Sequence, residues 1–232
     1  MSAGLALDGP SAPPSAGGPA KQLVVLLHGW GADGDDLIGL APCWGELLPE
    51  AAFVSPHAPF PCEMGFGRQW FSLADRALDT ILAEVRLTAP MIDAFIDEQL
   101  DAYDLAPAQL AIVGFSQGTM MALHLAPRRE VEIAALVGYS GRLIGDGLLD
   151  AETRSRPPIT LIHGEYDEMV PAASMDSAAA ALTGAGFTVD SHLRPGLGHG
   201  IDPEGIAIAG RFIAQRFATR RAQGKIPPTD PR

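Results

Sequence analysis

Residues 110–113 (LAIV) run without a break into Gly114-Phe115-Ser116-Gln117-Gly118, and a helical pattern begins at once. A chain that passes from strand to helix within one residue has few folds open to it. The turn forces Ser116 into a strained backbone conformation, and Gly114 and Gly118 remove the Cβ atoms that would collide there. The serine hydroxyl then stands above a sheet at a helix N-terminus, where free N–H groups favour developing negative charge. A bare G-x-S-x-G is common by chance. With the strand before it and the helix after it, Ser116 is a candidate nucleophile.

Three more short apolar runs share the character of residues 110–113. They are residues 23–27 (LVVLL), 134–137 (AALV) and 159–162 (ITLI). None alternates polar with apolar, so each is expected to be a strand buried on both faces, as in a parallel sheet. Residues 53–55 and 188–193 are weaker strand candidates. Met91, Ile92, Phe95, Ile96 and Leu100 fall at helical spacing, with Asp93, Asp97, Glu98 and Asp101 opposite them. Pro90 either starts that helix or kinks a longer one from about residue 79. Residues 117–126, 171–182 and 205–218 are further helix candidates. Strands alternating with helices predict an α/β fold with a mostly parallel central sheet and chemistry at the carboxyl ends of its strands.

Residues 1–20, rich in Pro, Gly, Ser and Ala, are expected to form a flexible arm or an edge hairpin around residues 5–7. Residues 21–224 read as a single α/β domain, and residues 225–232, with three prolines, as a disordered tail. The net charge of -12 opposes binding to phosphate backbones, so no nucleic-acid partner is expected. No apolar run reaches the roughly 18 residues of a spanning helix, and the acidic surface disfavours anionic lipid, so no stable membrane insertion is expected. The N-terminus lacks the basic and apolar regions of a signal peptide. Cys43 and Cys62 lie outside any CxxC pair or metal spacing. Two reduced thiols in a cytoplasmic protein is the expectation.

A serine hydroxyl needs a base. Six histidines compete. His28 and His163 each directly follow an apolar run in the pair His-Gly, a position that more often fixes a loop. His124 falls on the helix after Ser116, His192 inside a strand candidate and His57 in the rigid loop Ser-Pro-His-Ala-Pro. His199 differs. It lies in the glycine loop Pro195-Gly196-Leu197-Gly198-His199-Gly200, after the last strand and before the last helix, where a base belongs in the chain order Ser…Asp…His. The group that orients it should follow a strand between the two. Glu165, Asp167 and Glu168 are available after residues 159–162, and Asp167, at the centre of that loop, is preferred. Two backbone donors should face the oxyanion: the N–H of Gln117, after the nucleophile, and that of Trp30, in the loop His28-Gly29-Trp30-Gly31 after the first apolar run. This glycine-rich loop lacks the Lys-Ser/Thr pair and the spacing of a phosphate site.

Together these motifs resemble the phospholipase/carboxylesterase family of α/β-hydrolases, which includes acyl-protein thioesterases. So do Ser55-Pro56-His57-Ala58-Pro59, Gln69-Trp70-Phe71 and Gly198-His199. The resemblance spans about residues 23–217. It implies the α/β-hydrolase fold with helices on both sheet faces, a Ser116–Asp167–His199 triad, no metal and no organic cofactor, and it is compatible with a homodimer. The chain has no insertion large enough for a cap domain. Met64, Phe66, Trp70, Phe71 and Met169 are the candidate substrate-binding residues, because aromatic and apolar side chains on loops tend to wall a ligand groove. The expected activity is a serine carboxylesterase acting on small-molecule acyl esters of short to medium length. The alternatives are an acyl-protein thioesterase, a lysophospholipase, or a non-catalytic ligand-binding protein on the same fold.

Overall fold

The computed structural model describes residues 6–226. The chain enters with a two-residue strand, β1 (Ser11–Ala12), followed by β2 (Gln22–Leu27). Two one-turn helices, α1 (Gly34–Leu37) and α2 (Ala41–Trp44), lead to β3 (Ala51–Val54). A small antiparallel pair, β4 (Phe60–Pro61) and β5 (Arg68–Gln69), precedes the long helix α3 (Leu78–Ala102). Then come β6 (Leu110–Phe115), α4 (Gln117–Leu125), β7 (Ala135–Tyr139), the short α5 (Leu149–Glu152) and β8 (Ile159–Gly164). The chain closes with α6 (Ala173–Gly184), β9 (Val189–Arg194) and α7 (Pro203–Ala222).

The main sheet has the order β1-β3-β2-β6-β7-β8-β9. Every pairing in it is parallel except β1 on β3. The continuous apolar runs follow from burial on both faces. In β2, Leu23, Val25 and Leu27 belong to the core that α3, α4 and α6 cover, while Val24 and Leu26 belong to the core on the other face, covered by α1, α2 and α7. A strand with helices above and below it has no solvent face on which to place a polar residue. Helices therefore cover both faces, as expected for an α/β-hydrolase, and the described residues include no large cap.

The start of the chain pairs differently from the expected hairpin. Leu5 lies outside the described residues, and Leu7 is not in a strand. Instead Ser11–Ala12 adds to the β3 edge, and Ser55 and His57 donate backbone hydrogen bonds to Pro10 and Asp8. Partners some 45 residues away decide this, so local sequence did not place the strand. Of the expected tail, residues 227–232 lie outside the described set, and Ile226 is buried. Helix α3 takes the longer of its two sequence readings and runs through Pro90, which faces solvent. Its buried side includes Ile81, Val85, Ile92, Ile96 and Leu100.

Candidate active site

Strand β6 ends against a turn that only this sequence pattern accommodates. Ser116 has φ 53° and ψ -113°, a positive φ that a residue with a side chain seldom adopts. Its N–H donates to Tyr139 O at 2.8 Å, anchoring the turn to β7. A Cβ on Gly118 would lie 1.9 Å from Leu27 O, and one on Gly114 would lie 2.5 Å from Gly118 C. Both glycines are therefore required by the close approach of α4 to β2 and β6.

The serine meets a base brought from the other end of the chain. Its Oγ lies 3.0 Å from His199 Nε2, and His199 Nδ1 lies 2.8 Å from Asp167 Oδ2. An ionised carboxylate only accepts, so Nδ1–H donates to Asp167 and leaves Nε2 as the acceptor of the Ser116 proton. The other Asp167 oxygen, Oδ1, accepts from the backbone N–H groups of Met169 and Val170 at 2.9 and 2.8 Å. Burial pushes the Asp167 carboxyl up. The Val170 and Met169 N–H groups and the His199 imidazole outweigh it and hold the pKa below the ordinary value. Glu165 instead accepts from Gly196 N and stabilises the His199 loop, while Glu168 is exposed.

Two N–H groups flank the serine from different loops. Among the described residues, neither Gln117 N–H nor Trp30 N–H donates to any protein acceptor. The Trp30 loop is held by its surroundings. The indole of Trp30 donates to Gln69 Oε1 at 2.8 Å, Gly31 N donates to Arg68 O, and Gly31 takes φ 82°. His28 is buried beneath the loop, with Nδ1–H donating to Gly29 O and Nε2 accepting from Ala58 N.

A cavity of about 340 Å³ opens beside the serine. Trp30, Met64 and Met169 line it, together with Ser116, Gln117 and His199. Three expected groove residues do not. Trp70 and Phe71 are fully buried in the core, and Phe66 is 65% exposed away from the cavity wall. Trp70 turns inward because every polar group near it has an internal partner. Its indole donates to His28 O, its N–H donates to Gln117 Oε1, and its carbonyl accepts from Thr88 Oγ1. Gln117 Nε2 also donates to Phe71 O. In their place the structure brings Leu73, Ile81, Met120, Arg142 and the exposed Arg76 to the cavity. Only Arg142 carries a sequence signal, since it follows a strand at the carboxyl edge of the sheet.

Asp33, Asp35 and His57 bring their ligand atoms within 4.8 Å of one another, the described group closest to metal-site geometry. None of the three lines the serine cavity, and His57 Nδ1 already accepts the Gly34 N–H. No described helix is long and apolar enough to cross a membrane.

Known proteins resemble this chain along most of its length. A family model described as Phospholipase/Carboxylesterase matches residues 14–216. Acyl-protein thioesterase 1 of Gibberella zeae is 24% identical over 212 residues, covering 84% of this chain and 90% of that protein. Esterase YpfH of Escherichia coli is 28% identical over 191 residues, covering 82% and 81%. The crystal structure of esterase PE8 superposes with a TM-score of 0.87 at 38% identity, covering 91% of this chain and 99% of that one.

Proposed function

Because the chain belongs to the phospholipase/carboxylesterase family of α/β-hydrolases, and is an enzyme of the ester-hydrolase type, we propose that it works through an acyl-enzyme on Ser116. The observation that carries this reading is the relay Ser116 Oγ–His199 Nε2 and His199 Nδ1–Asp167 Oδ2 at the mouth of a largely apolar cavity.

In the mechanism, Ser116 Oγ attacks the ester carbon as its proton moves to His199 Nε2. Asp167 fixes the tautomer and stabilises the imidazolium. The N–H groups of Gln117 and Trp30 receive the oxyanion. The imidazolium then gives its proton to the departing alkoxide, leaving the acyl group on Ser116. Water, deprotonated by the same imidazole, repeats the cycle and releases the acid. A pure binding protein has no use for all three side chains in this register, so the receptor alternative is disfavoured.

Substrates of short to medium acyl length fit the cavity best. Each buried CH₂ contributes about 0.8 kcal/mol, roughly fourfold in kcat/KM, until the wall is reached. The thioesterases among its relatives make a thioester arm worthwhile, since the acyl half and its transition state are shared. Labelling with a fluorophosphonate and mapping the modified residue tests the mechanism. Adduct on Ser116, absent in Ser116→Ala, is expected. Adduct elsewhere overturns it. A series of esters and thioesters of graded length, kept below their micelle thresholds, locates the acyl limit. Activity that keeps rising to the longest chains and increases on vesicles overturns the small-ester reading.

A further inference from the structure

The cavity beside Ser116 holds two guanidinium groups. Arg76 and Arg142 both line it, alongside the apolar Leu73, Ile81, Met120 and Met169. Most other described arginines are paired with carboxylates, Arg68 and Arg156 excepted. Arg86 and Arg128 meet Glu152, Arg129 meets Asp93 and Asp97, Arg194 meets Asp202, and Arg220 meets Glu132. Among the described residues the exposed Arg76 and the half-buried Arg142 form no ion pair, and Arg142 Nε is buried with no hydrogen-bond partner. Acids are not scarce in this sequence, which has 28 Asp and Glu against 16 Lys and Arg. Two cations are nonetheless gathered in one pocket without one.

Burial, and next the neighbouring Arg76 charge, hold the Arg142 pKa below its usual value. A bound oxyanion relieves both. It satisfies the unpartnered Nε and neutralises the repulsion, and the planar guanidinium fork matches a carboxylate or a phosphate. The apolar side chains that line the same cavity suit a short hydrocarbon segment joining the ester to the anion.

We propose that the ester hydrolysed here carries an anionic oxygen group, a carboxylate or a phosphate, which Arg76 and Arg142 bind while the scissile carbonyl rests on Ser116. This rests on the serine-esterase reading and names the substrate class within it. The anion can sit on either half of the ester, as the far end of a dicarboxylic half-ester or on a phosphorylated alcohol.

Three substrates separate these cases: ethyl hexanoate, which is neutral; monoethyl adipate, of similar length with a carboxylate on the acyl half; and the hexanoate ester of 3-hydroxypropyl phosphate. Acid release is followed by pH-stat for the native protein, Arg76→Gln, Arg142→Gln and Ser116→Ala. The readout is the ratio of kcat/KM for each anionic ester to that for ethyl hexanoate, which does not depend on the fraction of a variant that folds. At least one anionic ester is expected to exceed the neutral one by roughly tenfold or more, since a hydrogen bond to a charged group contributes about 1.5–3 kcal/mol. That ratio should fall in both arginine variants and at high salt, and the ester that shows it identifies the half bearing the anion. Ratios at or below one for both anionic esters, or ratios unchanged in both variants, overturn the proposal. If ethyl hexanoate is turned over in a Ser116-dependent way while the ratios fail, only this proposal falls. If the native protein turns over none of the three, the serine reading falls with it.

Discussion

His163 Nε2 lies 3.2 Å from Asp167 Oδ2, the same oxygen that faces His199. The same His163 nitrogen lies 2.8 Å from Val170 O, so it carries the hydrogen and donates. His163 is the penultimate residue of β8 and is almost fully buried. It therefore ties the Asp167 loop back onto the strand through Val170 O and packs against the Asp167 carboxylate without donating to it.

His163→Phe is expected to lower kcat by roughly two- to tenfold, the worth of the one hydrogen bond (about 0.5–1.5 kcal/mol) that holds the Asp167 loop, with KM little changed. His163→Gln, which keeps a donor, should recover part of the loss. Steady-state kinetics on the neutral ester, with folding checked by near-UV circular dichroism, read this. Equal losses in kcat for both variants would reduce His163 to a packing residue.

Asp167→Asn should be far more damaging than Glu165→Gln or Glu168→Gln. Loss of the carboxylate in a comparable triad costs about 10⁴ in turnover, because the imidazole adopts the wrong tautomer. The Glu165 side chain accepts from Gly196 N, so its variant should act through loop mobility with a far smaller effect. Rates of fluorophosphonate labelling rank the three. A crippling Glu168→Gln would move the acid by one residue.

Trp70→Ala is expected to destabilise the fold by about 3–5 kcal/mol, as for other large buried aromatics. Met64→Ala and Met169→Ala, at the cavity wall, should instead shift acyl-length preference and leave the urea midpoint almost unchanged. Urea melts paired with the ester series distinguish these. A Trp70 variant with normal stability and altered chain-length preference would return that residue to the groove.

Stability should fall on mild acidification. Burial drives the His28 pKa from 6.5 down to about 4. Burial, followed by the Arg128 charge, takes His124 to about 4 as well. Both are neutral when folded and protonate when unfolded, so between pH 6.5 and about 4 the unfolded chain binds more protons. The stabilisation is complete above 6.5 and is lost toward 4, by about 1.4 kcal/mol per pH unit for each histidine. For His28 the cause is visible, since protonating Nε2 would break the hydrogen bond from Ala58 N–H. Urea midpoints from pH 7.5 to 4.5 should decline, and less steeply in His124→Leu. A flat profile would place both imidazoles in contact with solvent.

The strands and the serine turn could be read from the sequence because their causes are local. A strand covered on both faces must be apolar at every position, and a turn this tight must lack Cβ atoms at Gly114 and Gly118. His199 and Asp167 could be placed because each lies in the loop after a strand, and in a parallel sheet those loops share one edge. Local reasoning failed where the partner is distant. Nothing around Trp70 and Phe71 shows that Gln117, 47 and 46 residues away, holds their backbone and turns them into the core. The same limit hid the edge strand at Ser11–Ala12, His163 behind Asp167, and Arg76 beside Arg142. Which side of a loop faces a cavity depends on what packs against its other side, and only the folded chain decides that.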